Sequence, residues 1–207
     1  MTNHFDSVAK DWDNNSIHIQ RTEAIAAEML KSISFNKSMK ALEFGAGTGL
    51  LSFALKDYFK EITLMDNSIE MSKVASAKVI EANISNIKTL VFDLEKEDYT
   101  SEKFDIIYSQ MALHHVVDVE SVISKFDKML NPNGILVIAD LCKEDGSFHD
   151  YNAEVHLGFE PELLQNTLKS FSFENINHNV CYSIKRTDQN GVERDYPIFL
   201  MVAEKRN

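Results

Sequence analysis

The fold of this chain is decided by the stretch Leu42-Glu43-Phe44-Gly45-Ala46-Gly47-Thr48-Gly49-Leu50. It follows a short β-rich run and opens a helical pattern, so its three glycines fall in a strand-to-helix turn. In that setting bare backbone N–H groups can approach a ligand closely. The dinucleotide fingerprint G-x-G-x-x-G would require glycine at position 50, where Leu50 stands. The spacing therefore counts against NAD and FAD as the ligand.

Short β-rich runs alternate with amphipathic stretches on the C-terminal side of this turn. The predicted strands cover residues 39–44, 61–65, 89–92, 104–109 and 135–139. The predicted helices cover residues 50–59 and 119–130, another begins at Ser68, and a turn is predicted over residues 131–134. Strands that alternate with helices indicate a parallel sheet covered by helices on both faces.

The two ends of the chain depart from that alternation. Residues 3–17 have no steady period, and a helix follows whose predicted apolar face consists of Ile19, Ala26, Met29, Leu30 and Ile33. Near the other end, a helix around residues 161–170 precedes two β-like runs, 176–184 and 197–203, with an Asn-Gly step between them. Asn-Gly accommodates the positive φ angles of a tight turn, so the runs predict a hairpin whose last strand is antiparallel to the rest.

Composition predicts one globular domain over residues 1–207, because 44% hydrophobic content can form one substantial core. A formal charge of −11 repels phosphate backbones and anionic membranes, which argues against nucleic acid as a substrate. The two cysteines, Cys142 and Cys181, are far apart, and no apolar run approaches the roughly 20 residues of a membrane helix. We therefore expect a cytoplasmic protein without membrane insertion, and its oligomeric state stays open.

Two acidic residues follow predicted strands at the sheet edge where open α/β folds bind ligands. Asp66 ends the second strand, and Asp93 ends the third. The carboxylate of Asp66 has acceptors for both hydroxyls of a ribose, although a role at the start of the next helix is an equal alternative. The carboxylate of Asp93 can accept a hydrogen bond from an adenine amino group. With the glycine turn, these residues predict an adenosine-shaped ligand.

The ordered motifs resemble the class I S-adenosylmethionine-dependent methyltransferases, particularly the small-molecule branch that includes the ubiquinone and menaquinone biosynthesis enzymes. The motifs are Glu43-x-Gly45-x-Gly47-x-Gly49, Asp66, Phe92-Asp93-Leu94, Phe104-Asp105-Ile106-Ile107, Leu113-His114-His115 and Asn131-Pro132-Asn133-Gly134. The resemblance spans roughly residues 5–206. It implies a Rossmann-like fold, with a seven-stranded, mostly parallel sheet, an antiparallel last strand and helices on both faces. It also implies methyl transfer to a small molecule, with S-adenosylhomocysteine as the product.

The resemblance also assigns residues to the cofactor, S-adenosylmethionine. The glycine turn would contact it through Glu43, Gly45, Ala46, Gly47, Thr48 and Gly49, although Glu43 has bracing of the turn as an alternative role. Asp66, with Asn67 beside it, would hold the ribose, Asp93 and Leu94 the adenine, and Ser109 and Gln110 would lie near the methionine group. Trp12 would cover the cofactor and Arg21 would pair with its carboxylate. Residues 1–35 would form a leader and lid, and residues 142–170 an insertion that shapes the acceptor pocket.

Few catalytic side chains are needed, because a methyl carbon on a sulfonium is already activated and requires mainly positioning and exclusion of water. His114 and His115 are the candidates for a general base toward a hydroxyl or amine acceptor, with packing or capping as an equal alternative. A non-catalytic cofactor-binding module or partner subunit is the second hypothesis. The spacing of Cys142, His149 and His156 disfavours a metal site.

Overall fold

The computed structural model describes residues 4–148, 155–187 and 191–207. Within these residues the strands are β1 (Lys40–Phe44), β2 (Glu61–Asp66), β3 (Ile87–Val91), β4 (Phe104–Gln110), β5 (Leu130–Leu141), β6 (Phe173–Thr187) and β7 (Glu193–Lys205). They form one seven-stranded sheet in the order β3-β2-β1-β4-β5-β7-β6. Strands β1 to β5 pair in parallel, and β7 pairs antiparallel with both β5 and β6. The predicted mostly parallel sheet with an antiparallel last strand is confirmed.

Helices connect the strands and precede them. They are α1 (His4–Val8), α2 (Ser16–Ser32), α3 (Leu50–Leu55), α4 (Ile69–Glu81), α5 (Val119–Met129) and α6 (Pro161–Ser170), with shorter 3-10 turns at Ala9–Asn14, Lys56–Tyr58 and Leu113–His115. Polar side chains start three of them, since Asn15 Oδ1 accepts the N–H of Ile17, Ser68 Oγ accepts the N–H of Met71 and Asp118 Oδ1 accepts the N–H of Ser121. No helix within the described ranges has both the length and the apolar character needed to cross a bilayer.

The sheet divides the core into two layers because successive residues of a strand point to opposite faces. In β4, Ile106 and Tyr108 pack into the layer with α2 and α3, while Ile107 packs into the layer with α5 and α6. All three side chains are fully buried. Apolar residues therefore fill both faces of the central strands, as a parallel sheet between helices requires.

The buried face of α2 differs from the predicted one. Ile19 is 39% exposed and Leu30 is 37% exposed, whereas Arg21, Thr22 and Ile25 are buried. The predicted face was wrong at Ile19 and Leu30 because the helix turns two polar residues toward the carboxyl edge of the sheet. A pattern search for apolar spacing cannot anticipate such a face.

The predicted turn at residues 131–134 was also wrong, because these residues belong to β5. Leu130 pairs with Phe104 and Ile135 pairs with Ile106, so the segment between them bulges out opposite a single residue. Asn133 has a φ of 58°, and the side chain of Asn131 donates to Asp105 at 2.8 Å. The turn-forming residues make a bulge rather than end the strand.

Candidate functional site

The glycine turn lies at the carboxyl edge of the sheet, between β1 and α3. Gly45 has a φ of 63°, and a Cβ atom there would lie 2.3 Å from the Cβ of Ala112. Gly47 has a φ of 55°, but a Cβ at Gly47 would meet only Met71 Sδ, at 3.9 Å. Packing and conformation both require glycine at position 45, whereas at position 47 the positive φ favours glycine and no atom lies close enough to overlap a Cβ.

Asp66 at the end of β2 holds this turn in place. Its Oδ2 accepts the N–H of Gly47 at 2.7 Å, and its Oδ1 accepts the N–H of Ser68 at 2.7 Å. Burial raises the pKa of Asp66, the two N–H groups oppose that rise, and nearby Asp6 adds to it. Each carboxylate oxygen has a second lone pair, so Asp66 keeps acceptor capacity for ligand hydroxyls.

Asp93 follows β3 and has structural partners of its own. Its Oδ2 forms an ion pair with Lys96 at 2.5 Å, and its carbonyl oxygen accepts the N–H groups of Lys96 and Glu97. The neighbouring Leu94 is buried, and its carbonyl accepts from Lys125 Nζ at 2.6 Å. These bonds fix the loop that ends the site on the β3 side.

A cavity of about 730 Å³ lies over the carboxyl ends of the parallel strands. Its lining includes most of the residues predicted as cofactor-binding or catalytic, namely Trp12, Arg21, Glu43, Gly45, Ala46, Gly47, Thr48, Asp66, Asn67, Asp93, Leu94, Gln110, His114 and His115. Gly49 and Ser109 are not part of the lining. Gly49 stands at the start of α3, and the buried side chain of Ser109 points away from the cavity, because it alternates with Gln110 along β4.

Glu43 reaches the cavity from a fully buried position on β1. Its carboxyl accepts both the N–H and the hydroxyl of Ser52, and the Ser52 hydroxyl in turn bonds to the Tyr108 hydroxyl at 2.6 Å. Burial raises the pKa of Glu43 to about 8, although the hydrogen bonds from Ser52 act in the opposite direction. Glu43 therefore brings a buried carboxyl group to the cavity lining.

Arg21 places a cation in the same cavity from α2. Its side chain is buried, with 6% of the residue exposed. Within the described parts of the chain, Arg21 Nε has no hydrogen-bond acceptor. Burial lowers the pKa of Arg21 to about 10, and Asp140 acts in the opposite direction. A buried cation with an unmatched donor at a cavity wall is suited to an anionic group of a ligand.

Residues 4–14, the first described part of the predicted leader and lid, cover part of the cavity, and we call this segment the leader from here on. Asp13 accepts from Thr48 Oγ1 at 2.5 Å and pairs with Lys78 at 2.6 Å, and Asp6 accepts from Ser68 Oγ at 2.6 Å. Trp12 packs on His18 with ring centroids 4.1 Å apart. Polar contacts therefore attach the leader to the glycine turn and to the start of α4.

The two adjacent histidines have different surroundings. His114 is buried, and its Nδ1 lies 2.6 Å from Oδ1 of Asp140, which ends β5. His115 packs edge-on against Phe5 of the leader, with ring centroids 5.0 Å apart. Both side chains line the cavity.

Sequence reasoning missed several residues at or near the cavity, among them His18, Arg186 and Asp140. Asp140 is an acid at the end of a predicted strand, the same signal that singled out Asp66 and Asp93. His18 stands three residues before Arg21 on one helix face, a spacing that could have found it. Arg186 carried no such signal, since the hairpin alone brings it to the cavity.

The disfavoured metal site gains no support from the geometry. His149 lies outside the described residues, and among those described no group of three His, Cys, Asp or Glu side chains is placed to hold a metal ion.

Comparison with known proteins gives matches for both sequence and fold. Residues 42–138 match the family model described as a methyltransferase domain. An uncharacterised methyltransferase of Schizosaccharomyces pombe is 35% identical over 153 residues, covering 66% of this chain and 54% of that relative. The chain thus spans about half the length of this curated relative.

Solved structures agree with the sheet topology. N-methyltransferase NodS from Bradyrhizobium japonicum, in complex with S-adenosyl-L-homocysteine, has a TM-score of 0.69 and 19% identity, covering 94% of this chain and 90% of that chain. A chain from a Haloferax volcanii complex that contains the Trm112 methyltransferase activator has a TM-score of 0.79 and 14% identity, with 100% of both chains covered. At these identities the likeness shows the Rossmann-like fold.

Proposed function

We propose that this chain, which belongs to the class I S-adenosylmethionine-dependent methyltransferases, transfers the cofactor's methyl group to a small-molecule acceptor by in-line displacement. The observation that carries the proposal is the convergence of the glycine turn, Asp66 and Asp93 on one cavity. The match to the ubiquinone and menaquinone branch rests on the order of the motifs. Methyl transfer from a sulfonium needs a dry, shaped cavity more than it needs acid or base chemistry.

The cavity fits the cofactor by its donor and acceptor chemistry. Asp66 offers carboxylate lone pairs to ribose hydroxyls, and Arg21 offers a buried cation to the carboxylate of the methionine part. Glu43 would face the cationic end of that part, and Asp93 with the backbone at Leu94 would hold the adenine. Bound S-adenosylmethionine would supply the activated methyl carbon, while the leader and the cavity walls exclude water.

Acceptor binding is assigned to cavity residues that lie outside the glycine turn. Phe148 and Arg186 line the cavity, and Arg186 stacks over the Phe148 ring at 4.2 Å. We assign the insertion at residues 142–170 to acceptor recognition, within one domain of residues 1–207. The charge of −11 and the two cysteines without CxxC spacing favour a cytoplasmic enzyme that acts on neither nucleic acid nor membranes.

A partner-dependent subunit is the second candidate function. It is favoured by the likeness to a chain from a complex that contains a methyltransferase activator. In that case the chain would bind the cofactor and show methyl transfer only with a partner.

Calorimetric titration tests the proposal directly. We expect S-adenosylhomocysteine to bind and NAD to give no heat, and a binding isotherm with NAD would contradict the proposal. Asp66→Asn should weaken S-adenosylhomocysteine binding by about 1–3 kcal/mol, because one acceptor for the ribose is lost. Asp57→Asn, on an exposed carboxylate, is the matched control and should leave the affinity unchanged.

Transfer of a labelled methyl group to a panel of metabolites separates the two candidate functions. Product from the isolated chain supports the enzyme. Cofactor binding without any product, across amines, hydroxyls, thiols and activated carbons, favours the partner-dependent subunit.

A further inference from the structure

The carboxylate of Asp140, one residue before the end of β5, accepts several hydrogen bonds. Its Oδ2 accepts the backbone N–H groups of Leu113 at 3.0 Å and His114 at 3.2 Å. Its Oδ1 accepts the N–H of Leu141 at 2.8 Å and faces His114 Nδ1 at 2.6 Å. The residue is completely buried. Four donors therefore fix one carboxylate in a single orientation.

The donors keep Asp140 ionised in spite of its burial. Burial raises the pKa of Asp140, but His114 and the N–H groups of Leu141 and His114 outweigh that effect and hold the pKa below its ordinary value. An ionised carboxylate only accepts hydrogen bonds. His114 Nδ1 must then carry the proton in the bond to Asp140, because the ring nitrogen that meets a carboxylate is the donor.

The same contacts fix the backbone that carries His114. The N–H of His114 bonds to Asp140, and the carbonyl oxygen of His114 accepts the N–H of His156 at 2.7 Å. The imidazole lines the cavity from this position. The neighbouring His115 packs on Phe5 of the leader.

We infer that Asp140 is a positioning residue that holds His114 in the Nδ1–H tautomer, so that Nε2 serves as the base for an acceptor with an N–H or O–H group. This inference rests on the proposed function. As the acceptor atom forms its bond to the methyl carbon, the C–S bond breaks and its electron pair stays on sulfur. The acceptor proton passes to Nε2, and the imidazolium that forms is neutralised by the Asp140 carboxylate.

The tautomer can be read without any acceptor, by nuclear magnetic resonance of the protein with isotopically labelled histidine nitrogens at alkaline pH. His114→Gln removes one of the seven sets of histidine signals and thereby assigns those of His114. We expect a protonated Nδ1 and an unprotonated Nε2 at His114. In Asp140→Asn the amide can donate to Nδ1, so a protonated Nε2 should appear. A protonated Nε2 in the unchanged protein, or the same pattern in both proteins, would overturn the inference.

Activity supplies a second readout once the labelled-methyl panel has yielded a product. Asp140→Asn and His114→Gln should both reduce the transfer rate on the order of 10²–10⁴-fold, the usual contribution of a general base. S-adenosylhomocysteine affinity should change by less than about twofold, which shows that the variants are folded. Products methylated only on sulfur or carbon would contradict the inferred acceptor class. Absence of cofactor binding in the unchanged protein would instead contradict the proposed function, while the tautomer experiment would still stand.

Should Asp140→Asn fail to fold, the tautomer of His114 in the unchanged protein decides the inference alone. A protonated Nδ1 supports it, and a protonated Nε2 refutes it.

Discussion

Gly45 is a residue of the glycine turn where the fold leaves too little space for a Cβ atom. A methyl group at this position would overlap Ala112, and the φ of 63° is unfavourable for any L side chain. Gly191 has a comparable φ of 78°, but no atom of the described residues lies within 4 Å of the position that a Cβ would take. A comparison of alanine variants at the two positions therefore separates the free-energy cost of a positive φ from the cost of steric overlap.

Gly45→Ala should lower the free energy of unfolding more than Gly191→Ala does. The positive φ costs each variant roughly 1–2 kcal/mol, and overlap with Ala112 adds about 1–3 kcal/mol at Gly45. Chemical denaturation measures both values. Equal losses would show that Ala112 moves aside freely and that packing does not explain the glycine.

At the level of residues, the sequence located the polar edge of the cavity but not every contact. Asp66 was found because it ends a predicted strand, and Asp140 could have been found in the same way. The pairing of Asp140 with His114 could not, because 26 positions of chain separate them and only the parallel alignment of β4 and β5 joins them. The cofactor roles of the cavity residues stay predictions.

Among the elements, the leader differs from the longer helices in the contacts that attach it to the rest of the chain. Its polar contacts, Asp13 with Lys78 and Asp6 with Ser68, add to the packing of Phe5 on His115 and the burial of Ala9. Partly exposed ion pairs contribute only a few tenths to 1 kcal/mol each, so the leader should open more readily than the sheet.

Asp13→Asn should speed the release of S-adenosylhomocysteine about fivefold, since a loss of about 1 kcal/mol in the closed state corresponds to that factor. Trp12 is the single tryptophan of the sequence, so stopped-flow fluorescence follows the leader without labels. Asp11→Asn changes a neighbouring carboxylate that bonds only locally, to Asn14, and should leave the release rate as it is. Identical rates in the two variants would mean that the leader does not limit release.

Element positions were easier to predict than element faces and ends. The glycine turn and the alternation of strands and helices predicted where β1 to β5 lie along the chain. The Asn-Gly step predicted the hairpin of β6 and β7. The bulge in β5 was mistaken for a turn because Pro, Asn and Gly favour both structures locally. The ladder with β4, which no local pattern reveals, decides between them.

For the whole molecule, Glu43 links stability to pH. Its pKa in the folded protein is about 8, above the value of 4.5 expected in the unfolded chain. The protonated form is therefore favoured by folding, and this contribution is complete below pH 4.5 and is lost as pH rises to about 8.

Glu43→Gln should flatten the fall in stability across that pH window, because the amide cannot ionise and its oxygen still accepts from Ser52. Thermal unfolding of the ligand-free protein at several pH values measures the slope. Glu81→Gln, on the exposed end of α4, is the control. If both variants retain the slope of the unchanged protein, Glu43 does not titrate in this range.

The bulge in β5 lies at the amino edge of the sheet, opposite the cavity, and its residues Pro132 and Asn133 are exposed. The length of β5 therefore separates its bulge from the cavity. A reporter dye or an inserted peptide tag at Asn133 would consequently meet solvent and leave the cofactor cavity untouched.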